Sequence, residues 1–280
     1  MGPGRIDFVA TPIGNLSDLS PRARDALAGA DLIAAEDTRH TAALLRHIGV
    51  QKPLLSLHEH SETGRVQELL ARARGGALVA VVSDAGMPLV SDPGYLLLRA
   101  ALDGGVAVGA VPGPSAALLA LTLSGLPVDR FCFEGFLPTR SAARRGRLQA
   151  VAAEARTMVF FEAPHRIVET LEDMMAVLGS ERDAAVAREL TKVHESIYRG
   201  TLRQLRQLAG NEANFSRGEI TLVVAGTVAV APDDAFVRRA LELLAGELPP
   251  ARAAAVVAQL TGRHKAEVYA LLHQPVIEAT

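Results

Sequence analysis

A chain of 280 residues with 49% hydrophobic and 21% charged residues is long enough for two ordinary domains with buried cores, which excludes a disordered chain. A formal net charge of −2 gives no overall basic footprint, so DNA is not expected as a partner and any RNA has to be held by a local patch. The single cysteine, Cys132, excludes an internal disulfide and a cysteine-built zinc site; with no apolar run of bilayer length and no signal-peptide pattern, a cytoplasmic protein with no membrane partner is expected.

The first 125 residues alternate strand and helix signals. Apolar runs at Ile6 to Ala10, Leu32 to Ala35, Pro53 to Leu57, Leu78 to Val82 and Val106 to Val111 read as strands. Between them, Ser20-Pro21 opens a helix with a capping hydroxyl and a proline where no N–H is needed. A second helix runs from about Thr38 to His47 and stops at Gly49. This alternation implies a mainly parallel sheet covered by helices, in a domain spanning 1–125.

After Gly125-Leu126-Pro127 the pattern changes. Strands are expected at Phe131 to Phe136, Met158 to Phe161, Ala184 to Ala187, Ser196 to Arg199 and Ile220 to Val224, with helices at Ser141 to Glu154 and His165 to Leu178. Two strands follow closely around "VARELTKVHESIYRG", which implies antiparallel pairing and a mixed sheet in a second α/β domain, 126–232. Residues 233–280 read as a helical extension. Its last two helices are short and Gly-joined, like a helix-turn-helix, and are read as a cap or a dimer contact rather than a DNA reader.

No Gly-x-x-x-x-Gly-Lys loop, Gly-x-Gly-x-x-Gly turn, His-Glu-x-x-His helix or Gly-x-Ser-x-Gly elbow is present, so the usual nucleotide-binding and hydrolase readings lose ground. His58-Glu59-His60 lacks a third ligand and is read as a polar strand end, with no metal expected. What the chain does carry is a set of Gly- and Pro-rich loops after strands: "ATPIGNLSD", "SDAGMPLVSDPG" and "VPGPSAA". In a parallel sheet these carboxyl ends share one rim, where ligands of α/β proteins bind. Within "SDAGMPLVSDPG" the segment Gly86 to Val90 reads as a backbone floor, with Asp84 facing a ligand and Asp92 capping the next helix.

Charged residues crowd other strand ends. Glu36, Asp37 and Arg39 follow the second strand, with Asp37 or Thr38 placed to cap the next helix; Glu162, His165, Arg166, Glu189 and Lys192 follow strands of the second domain. Arg140, Arg144, Arg145 and Arg147 cluster in "PTRSAARRGRLQ", while Arg166 and Arg199 lie near other strand ends; together they form the candidate phosphate-binding patch.

"TPIGNLSDL", "EDTRHT", "SDAGMPLVSDPG", "VPGPSA", "FEGFLP", "FFEAPHRI", "RELTKVHE" and "RGEITLVV", in this order, resemble the tetrapyrrole methylase superfamily, and within it the branch that methylates a cytidine ribose of 16S ribosomal RNA. The resemblance implies two α/β domains with S-adenosylmethionine in the cleft between them, a homodimer, and 16S rRNA within the 30S subunit as partner. Carried over by position, cofactor contacts would come from Pro12, from Asp84, Gly86, Met87 and Val90, from Pro112, Ser115 and Ala116, and from Glu162, Gly218, Glu219 and Ile220. One departure stands out: many relatives have Gly-Asp-Pro in the fourth loop and the rRNA branch has Thr there, whereas this chain has Gly86-Met87-Pro88.

Methylating a ribose hydroxyl needs an aligned sulfonium, a base for the hydroxyl proton and cations for the developing alkoxide. Glu36, Asp37, Arg39, Glu189 and Lys192 are the candidates; Lys192 could act as base only with a depressed pKa. Two other classes share parts of the pattern: a tetrapyrrole C-methyltransferase, and an RNA-binding assembly protein without cofactor.

Overall fold

The computed structural model describes residues 4–58, 62–212, 214–227 and 233–272. The chain forms two compact units, Met1–Gly226 and Thr227–Thr280.

The first unit begins with β1 (Arg5–Val9), α1 (Pro21–Gly29), β2 (Leu32–Ala35), α2 (Thr38–His47), β3 (Leu54–Ser56), α3 (Glu62–Arg74), β4 (Leu78–Val82), α4 (Tyr95–Asp103), β5 (Ala107–Val111) and α5 (Ala116–Ser124). The five strands make one sheet in the order β3-β2-β4-β1-β5, every pairing parallel. Both faces are covered, as a parallel sheet requires. Ile6, Phe8, Val79 and Val81 pack with Leu69, Leu70 and Leu97 on one side. Val9, Ile33 and Val82 pack with Leu27, Leu44 and Leu45 on the other. Ser20 and Asp37 cap α1 and α2 through their side chains, as the sequence implies.

A second sheet follows, built from β6 (Phe131–Phe136), β7 (Thr157–Glu162), β8 (Asp183–Arg188), β9 (Ser196–Thr201) and β10 (Ile220–Val224) in the order β6-β7-β10-β8-β9. Only β6 and β7 run parallel; the other pairs are antiparallel, including β8 with β9. One face packs under α6 (Ser141–Ala150), α7 (Ile167–Leu178) and α8 (Leu202–Asn211) through residues such as Leu148, Met158, Phe160, Leu171, Leu205 and Leu222. The other face takes α5: Ala117, Ala120 and Leu121 pack with Val159, Ala185, Ala187 and Val223. Helix α5 is apolar on nearly every side, so it leaves the first sheet and closes the second. Its N-terminal turn therefore stands where the two sheets meet.

The sequence-based helix over Ser141 to Glu154 ends earlier, because Val151 and Ala152 donate to carbonyls three residues back and turn the chain. The helix expected from His165 begins at Ile167, preceded by one 3-10 turn over Pro164–Arg166.

The second unit contains α9 (Asp234–Leu244), α10 (Pro250–Thr261) and α11 (Lys265–Ala270), packed through Val237, Leu241, Ala254, Val257 and Val268. Gly262, at φ 68, ends α10 in the left-handed conformation. Among the described residues no helix is long and apolar enough to cross a membrane and no cluster of metal-binding side chains occurs; Glu59 and His60 lie outside them.

Candidate active site

The loops that leave β1, β2, β4 and β5 share one rim because their strands are parallel. Two of these loops are tied together: Thr11 and Gly86 exchange backbone hydrogen bonds of 2.9 and 3.1 Å, fixing the floor segment against the end of β1. Against this rim stand the ends of β6 and β7 and the start of β10, which antiparallel pairing brings to the same edge of the second sheet.

A cavity of about 380 Å3 opens there. Gly86, Met87, Val90, Ser91 and Asp92 form its floor, Ser115 and Ala116 the end of α5, and Phe136, Phe161, Glu162 and Gly218 to Thr221 its far wall. A second cavity of about 490 Å3 adjoins it, lined by Thr11 to Gly14, Leu16, His40, Ala43, Leu44, Asp84 and Lys192. Ile13, Ala85 and Glu219 line both, so the two cavities share a wall.

At that wall lies the segment joining β8 to β9. Glu189 and Thr191 have φ of 51 and 67, left-handed values that non-glycine residues adopt at a cost of about 1–2 kcal/mol each. The strain holds a compact pair in place. Lys192 Nζ donates to Glu189 Oε1 at 2.9 Å and stands 3.2 Å from Glu219 Oε1, while the Glu219 amide donates to Glu189 Oε1 at 2.9 Å. Burial pulls the Lys192 pKa down, but the two carboxylates outweigh it and the net shift is upward. Burial likewise opposes ionisation of Glu189, yet the Glu219 amide, Lys192 and Arg188 hold its carboxyl below the ordinary value. Lys192 therefore lacks the depressed pKa that a role as base would require and stands as a cation held between two carboxylates.

Gly218 makes this pair possible. At φ 75, a Cβ on it would come within 2.3 Å of Glu189 Cδ and Oε1. Gly218→Ala should therefore push Glu189 out of register with Lys192 while unfolding stability falls by only about 1–2 kcal/mol. A crystal structure of the variant beside thermal melts checks both.

Asp37 is also committed. It caps α2 by accepting from the Arg39 amide at 2.8 Å and pairs with the Arg39 guanidinium at 2.9 Å. Arg39 holds its carboxyl down to about 2, so Asp37 is not a base near neutral pH. Arg39 itself is 92% exposed. Glu36 Oε2 lies 3.5 Å from the Asp84 amide, and Asp84 Oδ1 accepts from the Asp37 amide at 3.0 Å, so the ends of β2 and β4 are cross-linked. Glu162 is buried and fully engaged with Thr170, the Ala163 amide and Arg166.

Of the expected cofactor contacts, Gly86, Met87, Val90, Ser115, Ala116, Glu162, Gly218, Glu219 and Ile220 line the first cavity, and Pro12 and Asp84 the second. Pro112 is exposed and lines neither. Asp92 does not cap the next helix: α4 begins at Tyr95 with Gly94, at φ 114, in the capping position and no side-chain cap. Burial, with Glu36 and Asp84 nearby, instead pushes the Asp92 carboxyl up to about 6 against the opposing hydrogen bond from Ser83. Sequence reasoning missed His40, although it sits inside the "EDTRHT" motif one helical turn after the Asp37 cap.

Residues 5–206 match the family model Tetrapyrrole (Corrin/Porphyrin) Methylases, and residues 231–274 match the RsmI C-terminal HTH domain. The ribosomal RNA small subunit methyltransferase I of Xylella fastidiosa (strain Temecula1) is 49% identical over 270 residues, covering 95% of this chain and 98% of that protein. Its Haemophilus influenzae counterpart is 47% identical over 269 residues, covering 95% of each. This chain belongs to the ribosomal RNA small subunit methyltransferase I family. Solved structures of lower identity show the same fold: the methyltransferase CobJ, with TM-score 0.61, 22% identity and coverage of 80% of this chain and 95% of that one; and uroporphyrin-III C-methyl transferase from Thermus thermophilus complexed with S-adenyl homocysteine, with TM-score 0.56, 20% identity and coverage of 79% and 97%.

In this member of the small subunit methyltransferase I family the six arginines of the expected patch separate. Arg144 is 1% exposed; its Nε donates to Asp173 at 2.6 Å and it joins α6 to α7, so it is a core residue and not a phosphate contact. Arg166 is 13% exposed, binds the Leu137 and Pro138 carbonyls and pairs with Glu162. Arg199 is exposed with its guanidinium on the Leu123 carbonyl. Arg145 and Arg147 are about half exposed, paired with Asp173 and Glu134. Arg140 is exposed and, among the described residues, has no carboxylate partner.

Proposed function

We propose that the chain transfers a methyl group from S-adenosylmethionine to the ribose 2′-hydroxyl of a cytidine in the decoding region of 16S rRNA, acting in the cytosol on the 30S subunit as a homodimer. The observation that carries this reading is the pair of adjoining cavities that share Ile13, Ala85 and Glu219. A methyl donor in one and a nucleotide in the other would meet across that wall.

The first cavity suits the cofactor. Its volume falls in the range of roughly 300–1,000 Å3 found for small-molecule sites. Its floor offers backbone groups, the α5 N-terminus offers amide donors beside Ser115, and Phe136 and Phe161 give apolar area. Met87 replaces the usual threonine with an apolar, adaptable side chain at the floor, which suits packing rather than hydrogen bonding.

The cofactor supplies an already activated methyl group on a positive sulfur. This chain's residues align it and handle the proton. The second cavity presents the Lys192 ammonium, poised to stabilise the alkoxide that forms as the hydroxyl proton leaves. Because Lys192 is held protonated and Asp37 is occupied by Arg39, the proton passes to another group lining that cavity; among the described residues these are His40, Asp84 and Glu219. The reading is tested by incubating the full chain and labelled cofactor with 30S subunits and with naked 16S RNA, then identifying the modified nucleoside. A methylated base, a methylated uroporphyrinogen-like substrate in place of RNA, or no transfer would overturn it.

The RNA surface has its own test. Arg140→Ala should weaken rRNA binding and reduce the slope of log affinity against log salt by about one phosphate contact, with Arg145→Ala and Arg147→Ala acting similarly. Binding titrations from about 50 to 200 mM salt measure that slope.

A further inference from the structure

Three carboxylates from three elements converge behind the cavity floor: Glu36 after β2, Asp84 after β4, and Asp92 at the end of the floor segment. Asp84 is engaged through the Asp37 amide, and Glu36 lies against the Asp84 amide. Asp92 stands apart. It lines the first cavity, its Oδ2 is buried, and among the described residues that oxygen has no hydrogen-bond partner. Leu89 and Ser91 beside it hold left-handed φ values of 75 and 68, so the backbone that aims this carboxyl is strained.

A half-buried carboxylate that has one hydroxyl donor, Ser83, and no cation is costly to ionise, and its buried Oδ2 lacks the partner that buried polar atoms ordinarily have. The other acids of the cavity wall are answered from within the chain: Glu162 by Arg166, Thr170 and the Ala163 amide, and Glu219 by Lys192. No cation of the described residues pairs with Asp92. Its negative charge is therefore left for whatever enters the cavity.

We propose that Asp92 is the residue by which the cofactor cavity tells the positively charged sulfonium from the neutral thioether left after methyl transfer. The inference rests on the reading of this cavity as the S-adenosylmethionine site. The two ligands share the adenosine, the ammonium and the carboxylate and differ in the methyl group and the charge it confers on sulfur. A carboxylate near that sulfur attracts the sulfonium and gives the thioether nothing in return, so product leaves more readily than cofactor.

The proton makes this selectivity visible. With its carboxyl pushed up to about 6, Asp92 is largely neutral near pH 5 and ionised near pH 7.5. A sulfonium lowers that pKa and so gains affinity as pH rises through 6, whereas a thioether only buries the carboxyl further and gains none. Glu36 and Asp84 face the group from the first sheet, and Glu162 with Arg166 and Glu219 with Lys192 face the cavity from the second. Whatever those groups do to the shared parts of the two ligands cancels in the ratio of their affinities.

Isothermal titration of the full chain with S-adenosylmethionine and with S-adenosylhomocysteine, near pH 5 and near pH 7.5, measures that ratio. In the wild type it should move toward the sulfonium by about tenfold between the two pH values. Asp92→Asn should abolish the movement while leaving thioether affinity within about twofold. An unchanged ratio in the wild type, which needs no variant, or a pH-dependent ratio persisting in Asp92→Asn, overturns the inference and leaves the cofactor site standing. Failure of both ligands to bind the wild type overturns the cofactor reading and the inference together.

Discussion

Arg144→Ala is expected to destabilise the first unit by about 3–5 kcal/mol, the range for removing one partner of a buried ion pair. The guanidinium is 1% exposed and the Asp173 carboxylate 3%, so deletion leaves a buried charge with only Arg145 and the Ser141 hydroxyl to answer it. It also removes the donor to the Thr139 carbonyl that fixes the start of α6. For a unit of this size the loss corresponds to a fall in melting temperature of roughly 6–20 °C, while Arg145→Ala, half exposed, should cost less than about 1 kcal/mol. Calorimetry on both variants checks this, and a double change to apolar residues at 144 and 173 should recover much of the loss. Acid provides a second readout. Burial would raise the Asp173 carboxyl, but Arg145, Arg144 and Ser141 hold it net below its ordinary value. A depressed carboxyl contributes stability that is full above the unfolded-state pKa near 4 and is lost as pH falls through the folded value. The wild type should accordingly lose stability below about pH 4, and Arg144→Ala should show a shallower acid limb. If Arg144→Ala melted like the wild type and bound RNA less tightly, the residue would belong to the surface after all.

The case of Arg144 shows what a sequence reveals and where it stops. Four arginines in "PTRSAARRGRLQ" look alike as charges, but Arg144 lies four residues before Leu148, so both fall on one helix face, and both are buried. That spacing was a readable signal for the core. Strand positions were legible for a simpler reason: β2, β4, β6 and β10 are apolar runs with clear ends, and their limits coincide with those expected from sequence. Helix α2 was equally clear because Asp37 caps it and Gly49 follows it.

Long-range geometry was not legible. The repeated Ser-Asp phrase suggests a cap at Asp92, yet Pro93 and Gly94 stand between it and the first turn of α4, so the carboxyl is two positions early and turns into the cavity. The resemblance placed Glu219 among cofactor contacts, but its second role, answering Lys192 from the start of β10, depends on an antiparallel register that no local pattern specifies. Lys192 reads from sequence as an isolated cation after β8 and becomes, in the fold, one member of a three-residue cluster.

That cluster sets the other large effect. Lys192→Met should reduce single-turnover methyl transfer by about 10²–10³-fold, the magnitude for losing one preorganised charge aimed at a developing oxyanion. Cofactor affinity should change by less than about threefold, because Lys192 lines the second cavity and not the first. The pH profile separates a cation from a base. A lysine base gains activity as it loses its proton, so the rate would climb toward its pKa; here the carboxylates of Glu189 and Glu219 keep that pKa above the ordinary 10.5. A fixed cation gives a wild-type profile with no lysine limb between about pH 7 and 9. Glu189→Gln supplies the complementary test: it loosens Lys192 without deleting it, so transfer should fall less than in Lys192→Met. Wild-type single-turnover rates in Lys192→Met with saturating 30S subunits would remove the cluster from the reaction and leave the strained Glu189 and Thr191 backbone without a catalytic reason.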